Sequence, residues 1–267
     1  MRAQVAARPV AIHPTALVDP AAAVHPTADV GPYCVIGAEV SIGAGARLMG
    51  HVWVEGPTAI GDENIFYPFC SIGCASQDLK YQGERTETRI GSRNKIREYV
   101  TVHRGTAAGG GVTSIGDDNL LMANVHVAHD CHIGSHTVLA NAATLGGHVT
   151  VGDWARIGAY SGVHQFCRIG PHAMIGGYAV VTRDVLPFAL VSEEREAKLY
   201  RANAVGLERR GFAPDATDRL NKALRLLRDS KLNTSQAVAR IREEIPAAPE
   251  IEELLAFIES SDRGFIK

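Results

Sequence analysis

Large apolar residues recur at every sixth position along most of the chain. The series runs without interruption from Ile12 to Ile72, returns at Ile90 for three repeats, and continues from Ile115 to Val181. A small or slender residue often stands four positions after the large one. A period of six fits neither the turn of an α-helix nor the alternation of a flat strand. It predicts a parallel β-helix, in which short strands turn at corners and successive coils stack.

Two segments break this rhythm and are predicted to be loops. The first is Cys74–Arg89, and the second is Arg104–Ser114, which contains three consecutive glycines and shifts the frame by one. A purely structural coil has little reason for charged and glycine-rich excursions, so both loops are expected to serve function. Residues 1–187 should therefore form the β-helix, with excursions at about 74–89 and 104–114.

The pattern changes after about residue 188. Leu220, Leu224 and Leu227 follow helical spacing, and TSQAVARIREEI and PEIEELLAFIESS give two further helical segments. Residues 188–267 are therefore predicted to form a small α-helical domain that caps the open last coil.

Composition narrows the class of protein. Hydrophobic residues make up 46% of the 267 residues and aromatic residues 6%, and there are 27 glycines, which suits a narrow core of aliphatic and small side chains. A net charge of −2 gives no field that would attract nucleic acid. No stretch reaches the roughly 18 apolar residues of a transmembrane segment, and the N-terminus lacks the apolar region of a signal peptide. With five cysteines, these features predict a cytoplasmic protein.

The cysteines and the stretch ANVHVAHDCHIGSHTVLAN contain the residue types that bind metals. Four cysteines occupy the small inward position, where burial as small apolar side chains is expected: Cys34, Cys70, Cys131 and Cys167. The clustered histidines fall at three different positions of their repeats, and the two that share a position lie in consecutive repeats, so they point in different directions: His126, His129, His132 and His136. We therefore expect no metal site within one chain, with a site shared between subunits left open, and we expect His132 and His136 to be surface residues.

Known hexapeptide proteins complete one turn of a left-handed triangular coil in three repeats, and we expect the same here. Residues three repeats apart then lie above one another. His129, Gly147 and Gln165 form one column, and Asp130 and His148 begin the next. The glycine should leave a notch of roughly 10 Å, with room for a sugar. An imidazole beside a carboxylate and such a notch is what a general base requires.

The chain resembles the UDP-N-acetylglucosamine O-acyltransferases of lipid A biosynthesis in SIGCASQDLKYQGE, IREYVTVHRGT with its GGG, IGDDNLLMANVHVAHDC, LANAATLGGHV, VHQFCRIG and GLERRGF. The resemblance extends from about Ile12 to the C-terminus. It implies transfer of an (R)-3-hydroxyacyl group from acyl carrier protein to the 3-hydroxyl of UDP-N-acetylglucosamine, the first step of that pathway. It also implies a homotrimer with active sites in clefts between the β-helices of neighbouring subunits, and chemistry without a metal or cofactor.

The same resemblance implies roles for single residues. His129 resembles the general base, Asp130 the group that orients it, and a backbone N–H near Gly147 the donor to the oxyanion. The other matched residues contact the substrates: Gln77, Asp78 and Lys80 the sugar nucleotide, His126, His148, His164 and Gln165 the pocket wall, and Asn203, Arg209 and Arg210 the nucleotide. Paired guanidinium groups suit a pyrophosphate because each can donate two parallel hydrogen bonds, although a solvated basic pair is the plainer interpretation.

Two positions bear on specificity. Gly177 matches the residue that sets acyl-chain length, and a glycine there predicts a longer chain because it leaves the acyl groove open. Met174 is expected to line the same groove or the uracil site, or only to pack against neighbouring side chains.

The segment SEEREAKLYRAN carries charged residues where the family has a glycine-containing segment, which puts the uridine contacts in question.

Other functions remain open. They are N-acylation of the next amino sugar by a sister enzyme, metal-dependent hydration of the carbonic anhydrase type, and a non-catalytic scaffold; a 3-amino sugar nucleotide as acceptor is a further variant. QDLKY, HRGT and RRGF favour the O-acyltransferase. An acidic acyl carrier protein requires a basic patch. Its candidates by composition are Lys80, Arg85, Arg93, Lys95, Arg97, Arg104, Arg168 and Arg183.

Overall fold

The computed structural model describes residues 12–192, 197–229 and 231–267, without the side chain of residue 229. In these ranges short parallel strands form three sheets around one core, which confirms the predicted left-handed parallel β-helix. The departure SEEREAKLYRAN lies partly outside the described residues, which omit 193–196, and so does the N-terminal segment 1–11.

The strands fall into three sheets. Sheet 1 contains β1 (Leu17–Val18), β4 (Val35–Ile36), β7 (Trp53–Val54), β10 (Ser71–Cys74), β13 (Thr101–His103), β16 (His126–Val127), β19 (Thr144–Leu145), β22 (Gly162–Val163) and β25 (Val180–Val181). Sheet 2 contains β2 (Ala23–Val24), β5 (Val40–Ile42), β8 (Thr58–Ile60), β11 (Glu87–Ile90), β14 (Val112–Ile115), β17 (His132–Ile133), β20 (Thr150–Val151) and β23 (Arg168–Ile169). Sheet 3 contains β3 (Asp29–Val30), β6 (Arg47–Leu48), β9 (Ile65–Phe66), β12 (Lys95–Ile96), β15 (Leu120–Leu121), β18 (Val138–Leu139), β21 (Arg156–Ile157), β24 (Met174–Ile175), β26 (Ala189–Ser192) and β27 (Lys198–Ala202).

The repeated large residues fill the core of the coil. Paired strands are offset by 18 residues, as where Leu17 pairs with Val35, so three repeats complete one turn. Large side chains such as Phe66, Ile96 and Leu139 are fully buried. The four inward cysteines are buried as predicted, and all five cysteines of the chain are free.

The corners use left-handed backbone conformations at residues other than glycine. At the corner between sheets 1 and 2, Asp130, His148 and Phe166 have φ values of 58°, 61° and 65°. Each such residue costs roughly 1–3 kcal/mol, so neighbouring structure must hold it. Here the next coil does so, because the His148 amide donates to the carbonyl of His129 and the Phe166 amide to that of Gly147, both at 3.0 Å.

Both loops leave the coil at this same corner. The first, residues 75–86, raises the offset between paired strands from 18 to 30 residues. The second, residues 104–111, raises it to 25 and includes a 3₁₀ turn, Ala107–Gly109. The outer residues of both predicted excursions belong instead to β10, β11 and β14, so the loops are shorter than predicted.

The C-terminal part begins by extending sheet 3. Strand β26 pairs parallel with β24, and β27 then pairs antiparallel with β26. Four helices follow: α1 (Ala204–Glu208), α2 (Pro214–Asp229), α3 (Thr234–Glu244) and α4 (Pro249–Glu259). The last three confirm the predicted helices, whereas β27 and α1 were not predicted. A domain boundary near residue 187 stays a prediction.

The C-terminal segment packs against the last coil around the buried Asp184. Asp184 accepts hydrogen bonds from the Arg168 amide and the Ser261 hydroxyl, each at 2.8 Å. Its carbonyl accepts from the Ile266 amide at 2.9 Å, and the Arg168 guanidinium lies 4.3 Å from the centroid of the Phe257 ring. Across the described ranges, no helix has the length and apolar character needed to cross a membrane.

Candidate active site

A cleft of about 750 Å³ opens at the corner between sheets 1 and 2. Both loops and several successive coils contribute side chains to it. Seven residues predicted from the sequence line it: Gln77, Asp78, Lys80, His126, His129, His148 and Gln165. The remaining lining residues are Leu79, His103, Thr106, Ala108, Gly109, Ala128 and Phe166.

His129 and Asp130 form a hydrogen-bonded pair in this cleft. Nδ1 of His129 lies 2.8 Å from Oδ2 of Asp130, and the two side chains are 13% and 0% exposed. Because a carboxylate accepts from a ring N–H, the contact assigns the proton to Nδ1. Nε2 of His129 is then the nitrogen that can accept a proton.

The imidazole of His129 lies over Gly147. A Cβ at position 147 would lie 2.6 Å from Cε1 and Nε2 of His129, so a glycine is needed there. The predicted open notch for a sugar is therefore wrong, because the imidazole itself occupies the space above the glycine. The amide of Gly147 finds no hydrogen-bond acceptor within the described ranges, which leaves this donor available to a ligand.

His148 lies beside both members of the pair. Its ring stacks on Phe166 with the centroids 4.3 Å apart, and it meets the His129 ring edge to face at 5.1 Å. Its Nε2 lies 3.9 Å from Oδ2 of Asp130, as the column argument predicted.

His103 and His126 form a second pair of rings, with the centroids 5.1 Å apart. Burial lowers the pKa of His103 to about 4, and the charges of His126 and His129 act in the same direction. Burial also lowers the pKa of His126 and that of His148. These three imidazoles are therefore neutral near pH 7, so none of them repels a positive charge formed on His129.

The first loop presents polar groups at the cleft. Asp78 is half-buried, and its Oδ1 accepts from the Lys80 amide at 3.0 Å. Gln77 and Lys80 are exposed, and Leu79 beside them is fully exposed. These groups can meet a ligand without displacing core contacts.

A second pocket, of about 470 Å³, lies along sheet 3 and the start of α1. It brings together Met174, Asn203, Arg209 and Arg210 with Trp154, Arg156, Leu190, Val205 and Gly206. The Arg210 guanidinium lies 5.0 Å from the centroid of the Trp154 ring. Burial lowers the pKa of Arg210, and the charges of Arg156 and Arg209 add to this effect. Three clustered guanidinium groups favour an anionic ligand.

Asn203 shapes this pocket from within the chain. Its Nδ2 donates to the carbonyl of His172 at 2.9 Å, and its Oδ1 accepts from the Gly206 amide at 3.2 Å. It is the N-cap of α1, so it positions the helix that leads to Arg209 and Arg210.

Four predicted site residues line neither pocket: Asp130 and Gly147, which lie against the His129 side chain, and His164 and Gly177. His164 is exposed, and its Nδ1 contacts the carbonyl of Gln165 at 3.1 Å. Gly177 is exposed at the corner between sheets 3 and 1. The predicted site residues therefore occupy three different corners of the coil, and a single chain does not bring them into one cleft.

One group of side chains in the described ranges has the composition and spacing of a metal site: His129, Asp130 and His148, with ligand atoms within 4.8 Å of one another. It differs from the histidine cluster considered in the sequence, of which His126, His132 and His136 take no part. His132 instead contacts Ser114 Oγ at 2.8 Å, and His136 stacks on Trp154.

Among the pocket residues that were not predicted from the sequence are His103, Thr106, Trp154 and Arg156. The one-residue frame shift at the second loop carried a usable signal for the first of these. Because of that shift, Thr101 pairs with His126. His103 therefore lies next to the column that contains His129. Trp154 and Arg156 carried no such signal, because their importance arises from α1, which was not predicted.

His172, beside the second pocket, should make the stability of the protein depend on pH. Its ring stacks between Trp154 and Phe188, and its Nδ1 is buried without a partner in the described part of the chain. Burial lowers its pKa to about 4, and the charge of Arg210 contributes. Between pH 6.5 and 4 the unfolded chain binds a proton at this site and the folded chain does not, so stability falls as the pH falls.

His172→Phe removes this titration and keeps an aromatic ring in the stack. Relative to wild type, the free energy of unfolding of the variant should rise by about 2–3 kcal/mol between pH 7 and pH 4. Urea unfolding at several pH values measures this difference. A difference that stays constant with pH would contradict the assignment.

The repeated hexapeptide of this coil is the feature that defines the bacterial hexapeptide transferases. A family model for the bacterial transferase hexapeptide (six repeats) matches residues 113–147. A second family model, described as UDP N-acetylglucosamine O-acyltransferase, domain 2, matches residues 184–266.

Individual known proteins are similar to this chain over nearly its whole length. The curated UDP-N-acetylglucosamine O-acyltransferase of Thermodesulfovibrio yellowstonii, named for an acyl-acyl-carrier-protein donor, is 50% identical over 256 residues, covering 96% of this chain and 99% of that protein. The solved structure of LpxA from Acinetobacter baumannii has a TM-score of 0.93 and 42% identity, covering 96% of this chain and 99% of its own. LpxA from Bacteroides fragilis has a TM-score of 0.94 and 38% identity, covering 96% and 100%. The chain belongs to the UDP-N-acetylglucosamine O-acyltransferase family.

Proposed function

We propose that this enzyme transfers an (R)-3-hydroxyacyl group from acyl carrier protein to the 3-hydroxyl of UDP-N-acetylglucosamine, the first step of lipid A biosynthesis. The observation that carries the proposal is the buried Asp130–His129 pair, which leaves Nε2 free in the cleft. The imidazole lies against Gly147, whose amide has no acceptor among the described residues. The family membership supports the choice of substrates.

The pair suits a direct transfer. Nε2 of His129 takes the proton of the sugar hydroxyl while the hydroxyl oxygen attacks the thioester carbonyl. The resulting oxyanion accepts a hydrogen bond from the Gly147 amide. When the intermediate collapses, the carbon–sulfur bond breaks, and the departing thiolate takes the proton back from His129. The Asp130 carboxylate compensates the transient positive charge of the imidazole. Every group in this mechanism belongs to the chain or to the substrates.

The remaining cleft residues bind and orient the acceptor. Asp78, Lys80 and Gln77 offer donors and acceptors to the sugar, and the neutral rings of His126 and His148 form the wall. His103 belongs with them because its buried Nδ1 has no partner in the part of the chain that the structure describes. In the second pocket, Arg209 and Arg210 hold the pyrophosphate.

The active site is completed between copies of the chain. In a single chain the two pockets lie at different corners, although one sugar nucleotide must reach both His129 and Arg210. Leu79 at the tip of the first loop is also fully exposed, as expected for a residue that meets a neighbour. A threefold assembly satisfies both observations if one corner of each subunit's β-helix lies against a different corner of the next subunit's β-helix.

The partner and compartment follow from the reaction. Acyl carrier protein must approach the cleft through basic residues. Several of the basic residues predicted to bind it already form ion pairs within the chain. Arg85 pairs with Glu39, Arg93 with Asp118, and Arg97 with Glu98. Arg104 is bound by Glu55 with only 13% of its side chain exposed, so it is a structural residue. Five free cysteines suit the cytoplasm, which is reducing.

A transfer assay with purified protein tests the function. Radiolabelled UDP-N-acetylglucosamine is incubated with a series of (R)-3-hydroxyacyl carrier proteins of increasing chain length. Acylated sugar nucleotide is expected with the longer donors. Product only with the 3-amino analogue of the sugar would change the acceptor and give an amide. No transfer to either acceptor would contradict the proposal.

The same donor series tests Gly177. A Cβ at this position would lie 3.2 Å from the carbonyl oxygen of Ala159, so a side chain can be added with a small adjustment. Gly177→Met should fill the acyl groove and lower kcat/KM for long donors by at least about 10-fold relative to short ones. An unchanged preference would remove Gly177 from the acyl groove.

A further inference from the structure

The carboxylate of Asp130 is enclosed by the second loop. Thr106 donates to both of its oxygens, from its amide to Oδ1 at 2.9 Å and from its hydroxyl to Oδ2 at 2.6 Å. Oδ2 is also the atom that contacts Nδ1 of His129. Thr106 is buried, with an exposed fraction of 4%. A buried carboxylate needs such partners, and Thr106 supplies two of them.

The direction of the Thr106 hydroxyl is fixed by the loop itself. Thr106 is the N-cap of the 3₁₀ turn, and its Oγ1 accepts a hydrogen bond from the Gly109 amide at 3.2 Å. Because Oγ1 is the acceptor in that bond, its own proton is available to Asp130. The turn therefore orients the hydroxyl toward the carboxylate.

Glycines make this close approach possible. A Cβ on Gly109 would overlap the carboxylate of Asp130, and a Cβ on Gly105 would lie 2.8 Å from Oδ1. Glu84 of the first loop accepts from the Ala107 amide at 3.2 Å, which ties the two loops together. The second loop is thus shaped around one carboxylate, whose side chain is 0% exposed.

From this arrangement we infer that Thr106 is a positioning residue, which sets the place of the His129 imidazole by holding the Asp130 carboxylate. The inference rests on the proposed function and assigns the second loop a role in it. Loss of the hydroxyl leaves the carboxylate one hydrogen bond short and free to turn, and the imidazole turns with it. The reacting geometry should suffer, while the residues that bind the sugar nucleotide stay in place.

Thr106→Val tests the inference, because valine keeps the shape and the backbone amide and removes only the hydroxyl. We expect kcat to fall by about 10–100-fold with little change in KM for the sugar nucleotide. Thr106→Ser should restore kcat to within about threefold, since it returns the hydroxyl. Thr88→Val is the matched control, because Thr88 is a buried threonine whose Oγ1 has no partner among the described residues; it should leave kcat unchanged.

A double-mutant cycle separates positioning from a general structural effect. In an Asp130→Asn background, Thr106→Val should lower kcat by less than about twofold, because the carboxylate it holds is gone. Equal losses in both backgrounds would overturn the inference, as would a Thr106→Val enzyme with wild-type kcat. If Thr106→Val does not fold, the comparison of Thr106→Ser with Gly109→Ala decides, since the glycine substitution alone should lower kcat. Absence of transfer by wild type would instead contradict the proposed function.

Discussion

Replacing His129 by alanine is expected to lower kcat for acyl transfer by about 10²–10⁴-fold, the usual contribution of a positioned general base. The side chain lies in the cleft with Nδ1 bound to Asp130, so its loss removes the proton acceptor but no core contact. Initial rates with saturating UDP-N-acetylglucosamine measure kcat. His132→Ala is the matched control, because it removes an exposed imidazole three positions away on sheet 2.

The same variant tests whether the site is shared. If each cleft takes His129 from one chain and Arg209 and Arg210 from another, mixed assemblies of His129→Ala and Arg210→Ala chains contain some complete clefts. Activity should then reappear on mixing under conditions that exchange subunits. A His129→Ala enzyme with near wild-type kcat would contradict the proposed base, and mixtures that stay inactive would place the whole site in one chain.

Gly147→Ala should lower kcat by about 10²-fold, because a misplacement of about 1 Å in a reacting group has an effect of that size. The added Cβ would lie 2.6 Å from two atoms of the His129 ring, so the imidazole must move. Steady-state kinetics together with the thermal unfolding midpoint distinguish this from a loss of folding.

The control for this substitution is Gly162→Ala on β22, where no heavy atom of the described residues beyond the glycine and its chain neighbours lies within 4 Å of the added Cβ. It should leave kcat unchanged. A folded Gly147→Ala enzyme with wild-type kcat would show that the imidazole does not rest over the glycine during the reaction.

The six-residue period predicted most of the coil because every repeat has the same inward, small and corner positions. Residues in neighbouring columns are therefore expected to be in contact. The proximity of Asp130 and His148 was predicted in this way. The side-chain conformation of His129 did not, because spacing places a Cα and says nothing about rotation around χ1. The imidazole therefore filled a notch that the sequence left open.

The loops limited the prediction of the site in a different way. Thr106 stands in a segment with no period, and its link to Asp130 depends on a short 3₁₀ turn. Asn203 was assigned to the nucleotide by resemblance, whereas its amide bonds to His172 and Gly206 within the chain. Such contacts depend on the local path of the backbone, which neither hydrophobic spacing nor a motif specifies.

At the catalytic corner the two loops increase the number of residues between paired strands, and they do so at little cost in free energy. Lengthening the segment between paired strands from 18 to 30 residues costs only about 0.5 kcal/mol of additional loop-closure entropy, since that term grows with the logarithm of length. Pairing resumes in register beyond each loop, so the buried columns above and below are unaffected. A stacked coil can therefore accept an inserted loop at a corner without loss of its core, and here the two loops add groups that line the cleft to a His129–Asp130 pair that the regular repeats already hold.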